Sequence, residues 1–158
     1  MKAIYEPKGR AAEYSPLALN IYRGCSHGCE YCYAPQVLRK TREDFIKAQL
    51  PRFSFLREVE EDAKKLNERK DGRPILLCFT CDPYQQIDEK YRMTGRVLKI
   101  LFRRQLNVKI LTKGGNRSEA DFDLLKANRN KIEYGATLVF ANDEESKLRE
   151  PFAAPTSE

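Results

Sequence analysis

The chain has 158 residues, 41% hydrophobic and 33% charged, enough for one domain with a core of its own. Its large apolar residues recur in periodic blocks, and its 8 glycines and 8 prolines are scattered. These features exclude disordered, collagen-like and coiled-coil classes. The formal net charge of +6 suits a polyanionic partner such as nucleic acid, and equally an ordinary solvated surface.

The densest basic cluster, Arg39-Lys40-Thr41-Arg42, has no interleaved aromatics and reads as a solvated face. No apolar run reaches the ~18 residues of a membrane span. Met1 to Pro7 lacks the apolar stretch of a secretory signal, so a cytoplasmic, reducing setting is expected.

One domain over 1–158 is expected, opening with an irregular lead-in over 1–16. Leu17 to Tyr22, bounded by Pro16 and Gly24, predicts a short strand, followed by a long loop. Phe55, Leu56, Val59, Ala63 and Leu66 share one face of a helix over 53–69. Ile75 to Thr80 is an apolar run of the kind that forms a buried parallel strand, after the turn at Asp71-Gly72-Arg73-Pro74. A helix over 94–104 turns Val97, Leu98 and Leu101 inward, and Val108 to Thr112 is a third strand.

Ser118-Glu119-Ala120-Asp121 resembles a capping box opening a helix that uses Phe122, Leu124 and Leu125. Ile132 to Phe140 predicts a fourth strand, with no helix after it to cover it. Alternating strands and helices make an α/β fold with a parallel sheet. A full eight-fold barrel takes roughly 200 residues or more. A barrel truncated after its fourth strand is therefore expected. A longer polypeptide, a partner chain or self-association would cover the open sheet.

The five cysteines fall into two groups, Cys25, Cys29 and Cys32, then Cys78 and Cys81. In a reducing setting such clusters hold metal or do chemistry rather than form disulfides. The spacing C-x3-C-x2-C follows directly on a strand, and its glycines let the loop turn back on itself. Three thiolates on one loop suit an iron–sulfur centre with one iron left open, as catalysis at a cluster requires. A four-cysteine zinc site using Cys78 and Cys81 is arithmetically open. However, Cys78 sits mid-strand, where alternation turns it away from Cys81 and into the core.

The phrase Asn20-Ile21-Tyr22-Arg23-Gly24-Cys25-Ser26-His27-Gly28-Cys29-Glu30-Tyr31-Cys32-Tyr33-Ala34 resembles the radical S-adenosylmethionine (radical SAM) superfamily, in its spore photoproduct lyase-like branch. Thr80 to Gln85, Leu111-Thr112-Lys113, and Glu150-Pro151 with Ala154-Pro155 agree in order. The resemblance implies a partial (β/α)6 barrel, of which this chain lacks the last two units. It implies a [4Fe–4S] cluster on Cys25, Cys29 and Cys32, with S-adenosylmethionine on the open iron. Reductive cleavage would then give a 5′-deoxyadenosyl radical that abstracts hydrogen from a substrate. The resemblance does not name that substrate, and its lyase-like branch points toward DNA repair. The electron would come from a flavodoxin- or ferredoxin-type donor.

By the same resemblance, Tyr31 packs near the adenine, Thr80 and Asp82 contact the amino or ribose groups, and Lys113 meets the carboxylate. Cys81 is a speculative hydrogen-atom donor beside that site. The plainer readings are a turn residue for Asp82, a solvated lysine for Lys113, and a backbone-bonded loop residue for His27. Tyr84 and Gln85 carry no assigned role. A non-catalytic, nucleic-acid-binding metal module is the rival reading.

Overall fold

A computed structural model describes residues 2–9 and 11–158, so Met1 and Arg10 of the expected lead-in lie outside the described residues. The elements run α1 (Ala11–Tyr14), β1 (Leu17–Leu19), α2 (Ala34–Val37), α3 (Arg42–Phe45), α4 (Phe55–Glu68) and β2 (Ile75–Leu77). They continue with α5 (Gln86–Tyr91), α6 (Met93–Arg103), β3 (Val108–Thr112), a 3-10 stretch (Gly115–Asp121), α7 (Phe122–Ala127), β4 (Ile132–Ala136) and α8 (Asp143–Arg149).

The four strands form one parallel sheet in the order β1-β2-β3-β4. Each crossover steps the same way, as in an arc of a barrel; a doubly wound sheet would reverse. The register sets Ile75 beside Val108 and Leu77 beside Ile110, and strand alternation puts them on one face with Leu17 and Leu19. That face joins Phe55, Val59 and Ala63 of α4 and Val97, Leu98 and Leu101 of α6 in one buried cluster. Emptying such a site, as in Leu101→Ala, costs about 2–5 kcal/mol. The opposite face carries Lys109, paired to Glu133 at 2.9 Å, and Leu111, which is half exposed.

The first two strands end earlier than the apolar runs suggest. β1 stops at Leu19 and β2 at Leu77 because the Asn20 carbonyl oxygen Oδ1 accepts from the backbone of Phe79 (2.8 Å) and Thr80 (3.0 Å). The side chain thereby takes donors that a longer ladder would use. β4 stops at Ala136 once β3 ends: Thr137 N bonds Thr112 O, and Leu138 and Val139 beyond are exposed.

The lead-in, irregular apart from α1, is docked, with Tyr5 and Ala18 exchanging backbone bonds of 3.0 and 2.9 Å and buried Asp62 accepting from Ala3 and Ile4. Two expectations need correction. Ser118 caps no helix: it lies inside the 3-10 stretch, donates to Gly115 O, and leaves Phe122 mostly exposed. A helix does follow the fourth strand. In α8, Asn142 accepts from Glu145 N, acids fill the first turn, and Lys147 and Arg149 fill the last.

Candidate functional site

In a parallel sheet, every segment leaving a strand's C-terminus emerges at the same end. The cysteine loop follows β1, Thr80 to Asp82 follow β2, Lys113 follows β3, and Thr137 follows β4. The sequence-predicted residues therefore share one rim of the fold.

The cysteine loop is held by backbone geometry. Gly24 has φ +88°, and a Cβ there would overlap the Phe45 carbonyl oxygen that accepts from Cys25 N. Gly28 has φ +70° and lies against Phe152, 3.2 Å from where its Cβ would stand. Only glycine takes both positions without strain. Cys25, Cys29 and Cys32 are all free and partly buried, and they line one cavity of about 140 Å3 with Pro35, Arg42 and Phe45. Among the described residues no three His, Cys, Asp or Glu side chains converge as a single metal ion would need.

Burial raises the Cys25 thiol, and the Asp82 charge raises it further. Burial, with help from Glu150, pushes Cys29 up to about 11, against the opposing pull of Lys113. Protonated thiols of this kind become ligands only by releasing their protons to solvent as the metal binds, which makes metal uptake pH-dependent. The Cys29 and Cys32 carbonyls accept from Arg42 at 3.2 and 3.4 Å, which ties α3 to the loop.

Asp82 is the hub of the rim. Its Oδ1 accepts from Tyr84 N (2.8 Å) and Thr112 Oγ1 (2.7 Å), and its Oδ2 accepts from Lys113 N (2.7 Å) and lies 3.3 Å from His27 Nε2. Burial alone would raise its carboxyl, but the His27 contact and these donors hold it below the usual carboxylate range. His27 is buried, and its Nδ1 also lies 3.2 Å from the Phe152 carbonyl. The backbone contact expected for His27 is present, with the Asp82 carboxylate in addition.

Lys113 Nζ bonds Glu150 Oε1 (2.7 Å) and Thr137 O (3.0 Å) and lies 5.8 Å from the centre of the Tyr31 ring. Burial lowers the Lys113 ammonium and raises the Glu150 carboxyl, so desolvation opposes the ion pair that their contact makes. Tyr31 is half exposed, edge-on to Phe140 at 6.1 Å. Thr80 is brought to the rim through Asn20.

Cys78 packs against the core as expected, although β2 stops at Leu77, one residue before it, and Ile21 N donates to Cys78 Sγ at 3.5 Å. Cys81 packs against the same core.

Two residues with roles here carried no assignment from sequence. Glu150 is buried against Lys113. Gln85, fully buried, accepts from Ser26 N (2.8 Å) and donates to the carbonyls of Gly24 and Asp82. No spacing rule marks either one, because the partners that tie them to the cysteine loop and to β3, Ser26 and Gly24 for Gln85 and Lys113 for Glu150, are 37 to 61 residues away.

Comparison with known proteins agrees with this geometry. An uncharacterized protein of Methanocaldococcus jannaschii is 30% identical over 160 residues, covering 99% of this chain and 56% of its own length. An uncharacterized protein of Mycobacterium tuberculosis is 28% identical over 104 residues, covering 61% of this chain and 29% of its own. The chain thus spans between 29% and 56% of the length of these relatives. A spore photoproduct lyase mutant, solved with bound AdoMet and dinucleoside spore photoproduct, shares the fold at TM-score 0.67 and 17% identity. That match covers 91% of this chain and 40% of the lyase. The described residues contain no helix long and apolar enough to cross a membrane. The model of the radical SAM superfamily matches residues 19–152, from the end of β1 through the cysteine loop to the tail beyond α8, and the chain belongs to that superfamily.

Proposed function

We propose that this chain is the core of a radical SAM iron–sulfur enzyme, with Cys25, Cys29 and Cys32 holding a [4Fe–4S] cluster and S-adenosylmethionine bound beside it. The observation that carries this reading is the set of three free thiols around one cavity at the C-terminal rim of a parallel arc. When bound, the cluster and cofactor supply one-electron cleavage of a C–S bond and so a hydrogen-abstracting carbon radical. The donor set fits: thiolate sulfur is the usual ligand of iron–sulfur clusters, and three of them leave one iron open.

The chain's own residues bind and orient. Lys113 offers a mostly buried ammonium for a carboxylate, and Tyr31 offers an aromatic face for the adenine. Asp82 acts as a positioning residue: it fixes the start of the Lys113 segment through Lys113 N and the cysteine loop through His27. Thr80 faces the amino or ribose groups from the rim. Cys81, on the segment after β2 and packed against the core beside Cys78, is our candidate thiol hydrogen-atom donor. The substrate class we favour is nucleic acid, on the fold shared with spore photoproduct lyase and the net positive charge.

Anaerobic reconstitution followed by reduction and a 5′-deoxyadenosine assay tests the reading. Release that depends on S-adenosylmethionine and reductant supports it; a fully iron-loaded protein that binds S-adenosylmethionine and releases none contradicts it.

A further inference from the structure

We infer that Gln85, assisted by Gln86, is a positioning residue that presents the Cys25 thiol to the cavity. The purpose of that thiol rests on the cluster reading above; the clamp itself rests on hydrogen bonds within the chain.

Gln85 is fully buried at the N-terminal end of α5, and its side chain caps no group of that helix. Its carboxamide meets the two peptide groups that flank Cys25. Oε1 accepts from Ser26 N (2.8 Å), on the peptide after Cys25, and Nε2 donates to Gly24 O (3.3 Å), on the peptide before it. Nε2 also donates to Asp82 O (3.1 Å). Only this orientation of the amide works: a flipped one would set its NH2 against Ser26 N and its oxygen against two carbonyls. Cys25 N is taken separately, by Phe45 O at 3.0 Å. Two buried residues, Gln85 and Phe45, therefore fix the backbone on both sides of Cys25.

Gln86 extends the grip. Ser26 Oγ donates to Gln86 Oε1, and Gln86 Nε2 donates to Phe152 O (2.7 Å). The base of the clamp is anchored in turn, because Asp88 of α5 accepts from Thr94 N of α6 (2.9 Å) and from the Tyr22 hydroxyl.

The other two thiols are held differently. The Cys29 and Cys32 carbonyls take their side-chain bonds from Arg42, an exposed residue, at 3.2 and 3.4 Å. An exposed guanidinium exchanges with water at little cost, whereas breaking the Gln85 bonds leaves buried groups unpaired. Cys25 is thus the preset ligand of the three, oriented from behind before metal arrives.

The test compares wild type, Gln85→Met and Ser26→Ala as anaerobically handled full chains. Before iron is added, iodoacetamide alkylation is followed at each cysteine by peptide mass spectrometry. Gln85→Met removes all three amide bonds at similar side-chain length; Cys25 should react about tenfold faster, while Cys29 and Cys32 change by less than about twofold. Ser26→Ala loses only the hydroxyl bond to Gln86 and should give about a two- to threefold rise at Cys25 alone, so it carries the test if Gln85→Met does not fold. After reconstitution, both variants should lose iron to a chelator faster than wild type, and Gln85→Met should broaden the electron paramagnetic resonance signal of the reduced cluster. Unchanged alkylation at Cys25 overturns the proposal. So does equal acceleration of all three thiols, the mark of a generally loosened fold, or a loaded Gln85→Met chain with wild-type spectrum and chelator rate. A wild-type chain that takes up no iron overturns the cluster reading instead, and the alkylation pattern still decides the clamp.

Discussion

His27 Nε2 lies 3.3 Å from Asp82 Oδ2, with both side chains buried. This contact joins the cysteine loop after β1 to the segment after β2, and Asp82 passes the connection on to β3 through Thr112 and Lys113. One carboxylate therefore holds three strand ends in register around the thiols.

Replacing that carboxylate should be costly in a pH-dependent way. Asp82→Asn should lose about 2–4 kcal/mol at neutral pH, the range for breaking a buried hydrogen-bonded charge. The folded Asp82 carboxyl sits below its unfolded value of about 3.9, so its stabilisation is complete above about pH 4 and is lost as pH falls through the folded value. Urea denaturation from pH 7 down to about 3 should show the wild type converging on the variant at the acid end. A gap that stays constant over that range would exclude the assignment.

The Lys113–Glu150 pair separates stability from binding. Lys113→Met strands a buried carboxylate and should cost about 3 kcal/mol, while Lys113→Met/Glu150→Gln should recover most of that loss. Equilibrium binding of S-adenosylmethionine should stay weakened about tenfold or more in both variants, because the cation that meets its carboxylate is gone from each. Restored affinity in the double variant would show that Lys113 supports the fold and does not contact the cofactor.

Gly24→Ala should destabilise the fold by about 2–3 kcal/mol, combining a left-handed backbone penalty with overlap against Phe45 O. Thermal unfolding measures the first effect. Iron retention after desalting measures the second, and it should fall because Cys25 follows directly.

Cys81 and Cys78 are distinguished by hydrogen origin. Turnover without substrate in heavy water should place deuterium from an exchanged thiol into 5′-deoxyadenosine. Cys81→Ala should remove most of that label, and Cys78→Ala should remove little. Equal labelling in wild type and Cys81→Ala would rule out Cys81 as a donor.

Local signals account for what could be read from sequence. β3, α4 and α6 follow from apolar periodicity, and the cysteine spacing carries a family resemblance that the superfamily match bears out. The ends of β1 and β2 were not legible, because Asn20 ends both through bonds to residues 59 and 60 positions away. Cys78 packs against the core as alternation suggests, but it lies one residue past the end of β2. The signals for α8 were present in Asn142, the acids after it and the closing Lys147 and Arg149, but a short exposed helix shows little apolar periodicity. Asp82, Gln85 and Glu150 do their work through partners distant in sequence, and no local pattern encodes such pairs.

The most direct measurement is iron and sulfide content after anaerobic reconstitution of the wild type and of Cys25→Ala, Cys29→Ala and Cys32→Ala, with Cys78→Ala as control. The account predicts about four irons and four sulfides per wild-type chain, the same for Cys78→Ala, and severe loss in each of the other three. Iron content untouched by removing Cys25, Cys29 or Cys32, or a wild-type chain that takes up zinc and no iron, would contradict it.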